Sequence, residues 1–173
     1  MPDQIIREIP LIERYARNNE AQDFKFRTFL KVGLDLSNEK LDAVVQETTD
    51  AIWKQINCTT CAHCCSTLQV VVDKQDILRL AKRLRTTPKQ FSQKYIRVDE
   101  GTSVFATQPC PFLGEDKRCT VYEDRPQACQ DYPYLHKDGF RSRSLMIIES
   151  TAVCPIVFNV WQDLKKRLWR RRK

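Results

Sequence analysis

Apolar residues recur at helical spacing over much of this chain. Behind a serine at position 37 that is typical of a helix N-cap, positions from Leu41 onward are apolar every third or fourth residue. This pattern predicts a helix that leads directly into Cys58. Residues 4–32 carry similar apolar positions and predict one or two helices, with a break or kink at Pro10, because proline disrupts a helix interior.

Capping residues mark four further helices. Asp73 stands before an apolar stripe, and Thr87 followed by Gln90 three positions later forms a capping box. A short helix is predicted after Pro126, and Pro155 opens a last amphipathic helix. These signals predict a chain that is mainly helical.

Strands are expected to be few and short. The apolar, partly β-branched runs Leu68–Val72 and Ser144–Ile148 both predict strands. Residues 96–107 have the pattern of an extended or looped segment. The stretch from Pro109 to Pro133 is rich in proline and cysteine and is predicted to be irregular.

The fold class predicted from these patterns is α+β: a mostly helical single domain with a few short strands and a cysteine-rich, irregular metal-binding core. The 173 residues, 42% hydrophobic and 29% charged, suit one globular domain. Within it we expect an N-terminal helical segment (1–57), a cysteine-cluster metal-binding region (58–154) and a C-terminal basic helix (155–173). Only four glycines are present, without the spacing of a Rossmann or P-loop nucleotide site.

The net charge of +7 equals the charge of the basic residues near the C-terminus. Trp169 among them adds an aromatic ring, and charge with an aromatic ring suits nucleic acid. A terminal basic run is more often a solvated helix end, favoured by the helix dipole. We therefore expect a protein or small-molecule partner rather than nucleic acid. The basic residues are Lys165, Lys166, Arg167, Arg170, Arg171, Arg172 and Lys173.

The sequence offers no membrane span and no secretion signal. No run approaches the roughly 18 apolar residues that a transmembrane helix needs, and residues 1–8 lack a basic stretch followed by an apolar one. We therefore expect a cytoplasmic protein. In a reducing compartment its eight cysteines are expected to be metal ligands rather than disulfides.

The cysteines form the strongest chemical signal in the chain. Four of them lie in the run Cys58–Cys65 with the spacing C-x2-C-x2-C-C, and four more are spread downstream. Thiolates are the ligands preferred by zinc and by iron–sulfur clusters. We predict that two groups of cysteines are brought together as metal ligands: Cys58, Cys61, Cys64, Cys65, Cys110, Cys119, Cys129 and Cys154.

Two kinds of centre remain open. The first three cysteines resemble the start of a ferredoxin motif, whose remaining cysteine is followed by proline as Cys110 and Cys154 are here. This favours an iron–sulfur cluster, of the four-iron type. Alternatively, any four sulfurs close a tetrahedron around zinc, and His63 could replace one of them. We expect His63 and His136 to be bystanders.

Several motifs together resemble the YkgJ-type cysteine-cluster family, a zinc- or iron-chelating CxxCxxCC domain. They are the cysteine run, the segments Pro109–Leu113 and Cys119–Cys129, and the helix Asp76–Ala81. The resemblance covers about residues 57–135. It implies metal or iron–sulfur binding by six cysteines, with Cys58 joining them: Cys61, Cys64, Cys65, Cys110, Cys119 and Cys129.

The chain departs from the pattern of the family at two positions. An arginine usual after the last motif cysteine is Gln130 here, and a phenylalanine usual before proline is Tyr132. Either change could alter a contact with a substrate or partner without touching the metal ligands.

The resemblance does not fix a reaction. One hypothesis is a metal-binding protein with redox or protein-modification activity. The alternative is a zinc-stabilised binding module without catalysis that contacts nucleic acid through its basic C-terminus. The two histidines leave no Ser-His-Asp triad and no H-E-x-x-H motif. Whether the chain is an enzyme therefore stays undecided.

Arg125 is a candidate cofactor-binding residue. Its guanidinium group could hydrogen-bond to the cluster sulfurs or neutralise their charge. Equally, it could orient its loop by pairing with Asp124 or Glu123. The neighbouring Tyr122 is expected to anchor the loop rather than to act as an acid.

Overall fold

A computed structural model describes residues 5–169 of the chain. The chain divides into two compact units. The helical unit comprises residues 5–57 and 133–169, and the cysteine unit is the continuous segment 58–132. The secondary structure is mostly helical, with a two-stranded antiparallel sheet, which confirms the predicted α+β class.

The elements follow one another along the described residues in this order: α1 (Ile9–Thr28), a π-helical turn (Phe29–Gly33), α2 (Asn38–Trp53), α3 (Cys58–Cys61), α4 (His63–Thr67), α5 (Lys74–Arg83), α6 (Pro88–Tyr95), β1 (Ile96–Asp99), β2 (Thr102–Phe105), a 3-10 turn (Tyr122–Asp124), α7 (Gln127–Asp131), α8 (Phe140–Thr151) and α9 (Pro155–Leu168). No helix among the described residues is both long enough and apolar enough to traverse a bilayer. The predicted basic tail from Arg170 to Lys173 lies outside the described residues, as does the first residue of the predicted N-terminal helix.

Trp161 of α9 is the largest fully buried side chain of the helical unit. Its ring packs edge-on against Phe26 of α1, with the ring centroids 5.0 Å apart. The indole Nε1 donates a hydrogen bond of 2.9 Å to Asp23 Oδ1, and Lys165 Nζ lies 2.5 Å from the same oxygen. The Asp23 and Lys165 side chains are only 1% and 5% exposed, so α1 and α9 are joined by a buried ion pair.

The starts of α1 and α2 test two predictions. Pro10 lies in the first turn of α1, where its missing N–H and fixed φ are tolerated. The helix continues from there to Thr28, so the predicted break at Pro10 is wrong. α2 is capped by Ser37, whose hydroxyl accepts a hydrogen bond from the Lys40 amide at 3.3 Å, which confirms the predicted cap.

The segment Ser144–Ile148, predicted as a strand, lies inside helix α8. The start of this helix is fixed by a distant carboxylate. Asp42 of α2 accepts hydrogen bonds from the Gly139 amide at 2.7 Å and from the Phe140 amide at 2.9 Å. The strand prediction was wrong because a short apolar run fits a buried helix as well as a strand, and the Asp42 bonds that fix the helix start come from a residue remote in sequence.

The cysteine unit begins its two longer helices with local capping boxes, which confirms the cap predicted at Asp73 and the capping box predicted at Thr87. In α5, Asp73 accepts from the Asp76 amide at 2.7 Å, and the Asp76 side chain accepts in return from the Asp73 amide at 3.1 Å. In α6, Thr87 and Gln90 make the same reciprocal pair. Both signals lie within four residues of sequence.

The sheet of the cysteine unit is a hairpin in which Ile96 pairs with Phe105. The predicted strand Leu68–Val72 is an extended segment beside it. Val72 N donates to Ser103 O at 2.9 Å, and Phe105 N donates to Val70 O at 3.1 Å. One face of this arrangement packs into the core of the unit, and Cys110 and Cys119 lie against the same core. The core residues are Val72, Leu80, Ala81, Phe91, Phe105, Phe112 and Val121.

Candidate metal centre

All eight cysteines lie within the described residues, and none of them forms a disulfide bond. Seven of them belong to the cysteine unit. Cys154 belongs to the helical unit, where it is buried and immediately precedes α9. Its predicted role as a ligand stays a prediction.

The run Cys58–Cys65 is folded into two short helices, α3 and α4, that are separated by Ala62. This residue has φ 53 and ψ 9, in the left-handed region, which costs an L-residue roughly 1–2 kcal/mol. The Ala62 carbonyl is bound by both the amide and the hydroxyl of Ser66, each at 3.1 Å. The two helices therefore have different directions, and the clustered thiols do not lie along one helix.

Cys110 and Cys119 come from the loop that follows the hairpin. The Cys110 amide donates a hydrogen bond of 2.9 Å to the Cys65 carbonyl, which ties this loop to α4. An antiparallel bridge pairs Leu113 with Cys119. Helix α7 contributes Cys129, which is its middle residue. The thiols therefore come from three segments that are distant in sequence.

Four thiols from these segments interact electrostatically in every pairwise combination; we call Cys65, Cys110, Cys119 and Cys129 the central thiols. Burial is the main cause that raises the pKa of Cys110 to about 11 and of Cys129 to about 12, and the neighbouring thiols raise both further. Burial likewise raises the pKa of Cys119.

Cys65 behaves differently from the other central thiols. A hydrogen bond from Cys64 is the main cause that lowers the pKa of Cys65 to about 7. Cys58 lies at the edge of the group. Partial burial raises its pKa, Arg125 lowers it, and Cys61 and Cys65 raise it. The arrangement concentrates negative charge when the thiols ionise, and a bound cation would offset that charge.

Arg125 provides positive charge beside these thiols, because it lowers the pKa of Cys58, Cys119 and Cys129. Its guanidinium carbon lies 3.9 Å from the centroid of the Tyr122 ring, and Nη1 donates a hydrogen bond of 2.7 Å to the Tyr122 carbonyl. This agrees with Tyr122 as a loop anchor, although its ring is partly exposed.

Asp124, one of the two acids weighed as a partner of Arg125, forms an ion pair of 3.6 Å with Arg83. The role of Arg125 toward a cofactor stays a prediction, which its position near the thiols supports.

The two histidines have different surroundings. His63 opens α4 between Cys61 and Cys64. His136 lies in the helical unit, where its Nδ1 is 2.7 Å from Gln46 Nε2 and its ring packs near Trp53. Across residues 5–169, no three His, Cys, Asp or Glu side chains are grouped closely enough to hold a single metal ion.

Two residues that support the site belong to the helix Asp76–Ala81, which the sequence singled out only as part of the family motif. Asp76 and Arg79 of α5 bond to the chain that carries Arg125 and leads into α7. Their spacing is a further signal, since residues three apart on a helix face the same side. The sequence alone did not reveal what they bind.

Comparison with known proteins gave one match. A family model named CxxCxxCC and described as "Putative zinc- or iron-chelating domain" matches residues 57–155. Searches of curated proteins and of solved structures found no significant match. The matched residues include the whole cysteine unit, 58–132, and they extend past Cys154 to the first residue of α9.

Proposed function

This chain belongs to the CxxCxxCC family of zinc- or iron-chelating domains, and we propose that it holds an iron–sulfur cluster through the four central thiols. The donor set fits such a group because it consists of sulfur alone, the ligand type that iron–sulfur clusters require. A bound cluster would supply one-electron transfer.

The observation that carries this proposal is the joining of cysteine-bearing segments by backbone hydrogen bonds: the Cys110 amide is bound to the Cys65 carbonyl at 2.9 Å, and Leu113 forms a bridge with Cys119. The mutual pKa effects of the four central thiols, which include Cys129 of α7, agree with this grouping. A cluster bound to all four would cross-link α4, the loop after the hairpin and α7. Metal binding and folding of the cysteine unit would then be coupled.

The position of Arg125 suits an iron–sulfur cluster. The reduction potential of such a cluster depends on the charge and hydrogen bonds around its sulfurs. A guanidinium group that acts on Cys58, Cys119 and Cys129 would raise that potential by favouring the more negative, reduced state. At a zinc site with four thiolates, the same charge would offset part of the net negative charge.

The remaining thiols of the run enter the proposal as neighbours of the central four. Cys64 hydrogen-bonds to Cys65, and Cys58 interacts with Cys65 and Arg125. Hydrogen bonds to ligand sulfurs tune a metal centre. Cys58, Cys61 and Cys64 therefore act as further ligands or as groups that adjust the centre, and substitution distinguishes these roles.

Zinc is the second candidate, because the description of the family includes it and four thiolates form a closed structural zinc site. In that case the chain is a metal-stabilised binding module without redox chemistry. The contact with nucleic acid that this alternative includes depends on a basic tail whose last residues lie outside the described part of the chain.

The deciding experiment is to purify the protein without oxygen and to measure iron, zinc and acid-labile sulfide per chain, together with the visible spectrum. We expect iron with sulfide and a broad absorption band that a reductant bleaches. Colourless protein with stoichiometric zinc would replace the cluster by the zinc candidate.

Single substitutions then test the ligand set. Cys65→Ser and Cys129→Ser are expected to lose most of the metal, and normal metal content in both would overturn the assignment to the central thiols. The same assay on Cys154→Ser decides whether this cysteine of the helical unit is a ligand.

A further inference from the structure

We propose that Asp76 and Arg79 form a clamp that positions Arg125 and Cys129 at the metal centre. Both residues lie on α5, and the segment they hold runs from Asp124 to Gln127. The inference rests on the proposed function, since it assigns these residues to the support of the metal site. They are positioning residues that act through backbone groups.

Arg79 holds the chain just before α7 from one side. Its Nε donates to the Asp124 carbonyl at 3.2 Å, and its Nη2 donates to the Arg125 carbonyl at 2.9 Å. These two carbonyls belong to the peptides on either side of the Arg125 Cα, so the two bonds fix the backbone at that residue. The side chain of Arg125 is thereby directed from a fixed backbone position.

Asp76 holds the same chain at the start of α7. The carboxylate is almost fully buried, and its Oδ1 accepts a hydrogen bond of 3.0 Å from the amide of Gln127, the first residue of that helix. The same oxygen lies 2.5 Å from Arg79 Nη2. Asp76 Oδ2 also accepts from the Asp73 amide, so the carboxylate is anchored to its own helix.

Helix α7 needs this outside support because it has only five residues. Isolated helices of this length are not stable in water, since too few hydrogen bonds repay the cost of nucleation. Its direction determines where Cys129 lies. The clamp therefore sets the position of a ligand and of a nearby charge together, although neither Asp76 nor Arg79 has a thiol among its bonded partners.

The chemistry of the clamp requires arginine. The guanidinium group presents several N–H donors in one plane, and here they reach two carbonyl oxygens and one carboxylate. Lysine keeps the charge but cannot hold this fork geometry. Asparagine at position 76 keeps an oxygen for the Gln127 amide but loses the charge that pairs with Arg79.

The test compares Arg79→Lys with Arg83→Lys, a matched control. Arg83 lies on the same helix, but it is mostly exposed and pairs with the Asp124 carboxylate rather than with a backbone carbonyl. Each protein is purified with its own metal, and metal release to an excess of chelator is followed by absorption. Thermal unfolding is recorded in parallel.

We expect Arg79→Lys to release metal about 10- to 100-fold faster than the wild type, the size typical of lost support around a metal ligand. Arg83→Lys should release it at the wild-type rate. Asp76→Asn should give an intermediate rate and serves if Arg79→Lys does not accumulate. Wild-type release rates in both the Arg79 and the Asp76 variants would overturn the clamp.

A further variant separates positioning from general stability. Phe91→Leu leaves a gap in the hydrophobic core of the cysteine unit and leaves the hydrogen-bonding groups of the clamp in place. If it releases metal as fast as Arg79→Lys at a similar unfolding temperature, the clamp has no specific role. Wild-type protein without metal would instead contradict the proposed function itself.

Discussion

The helical unit and the cysteine unit reach a fixed structure by different means. The helical unit is built on helices of 20, 16 and 14 residues, which are long enough to bury continuous apolar faces. The longest helix of the cysteine unit has 10 residues, and three others have five or fewer. The comparison teaches that a unit made of short elements depends on cross-links.

The polar groups inside the two units differ in the same way. In the helical unit, the buried charges of Asp23 and Lys165 neutralise each other. In the cysteine unit, the central thiols would repel one another on ionisation, and burial opposes their charge. The ion pair is balanced by groups of the chain itself, whereas ionisation of the central thiols becomes favourable when a cation binds to them.

Metal removal should give the largest difference between the units. Structural metal sites of this kind contribute up to about 10–16 kcal/mol of binding free energy. We expect chelation to expose the amides of α5, α6 and the hairpin to hydrogen exchange, while those of α1, α2 and α9 stay protected. Equal loss of protection in both units would contradict the comparison.

Breaking the buried ion pair should destabilise the helical unit and leave the cysteine unit unchanged. Asp23→Asn leaves the ammonium group of Lys165 buried without its carboxylate, which typically costs about 3–5 kcal/mol. We expect denaturant unfolding to show this loss in the helical unit, with metal content unchanged. Glu20→Gln, on an exposed position of the same helix, is the control and should change the stability little. A fall in the metal content of Asp23→Asn would contradict the conclusion that the two units are stabilised by different interactions.

Helix caps should have smaller effects that differ by unit. Asp42→Ala removes the acceptor for two amides of α8, and we expect a loss of about 2 kcal/mol in the free energy of unfolding. Thr87→Ala removes a local cap of α6 and should cost about 1 kcal/mol. Urea titration of both variants measures the difference. Equal losses would mean that a remote carboxylate bound to two amides stabilises its helix no more than a local cap does.

The smallest effect is expected at Tyr122. Tyr122→Leu removes the ring beneath Arg125, a partly exposed cation–π contact worth about 0.5–1 kcal/mol. We expect full metal content with a slightly lower unfolding midpoint of the cysteine unit. A large loss of metal would show that the ring contributes to the centre and does more than anchor its loop.

The parts of the fold that could be predicted have local causes. The capping boxes at Asp73 and Thr87 lie within four residues, so the sequence contains the whole signal. Helix α8 could not be predicted in this way, because its cap comes from Asp42, 97 residues from Gly139. Its apolar run at residues 144–148 fits a strand as well as a buried helix, and only the distant carboxylate decides.

Which residues make up the candidate site could be predicted from the sequence better than how those residues are arranged. Spacing alone groups Cys65 with Cys58, Cys61 and Cys64. The structure keeps Cys65 hydrogen-bonded to Cys64 and adds electrostatic interactions with the three downstream thiols, in keeping with the bond from the Cys110 amide to the Cys65 carbonyl. The motif that contains Asp76 and Arg79 was recognised from the sequence, but what they bind was not, since they hold carbonyl and amide groups that every residue possesses.

The cysteine unit is one uninterrupted stretch of chain, whereas the helical unit is made from two stretches on either side of it. During synthesis, all seven clustered cysteines therefore leave the ribosome before α8 and α9. The helical unit lacks its largest buried side chain until Trp161 has been added. The thiols of the cysteine unit are therefore available to metal before the core of the helical unit can form.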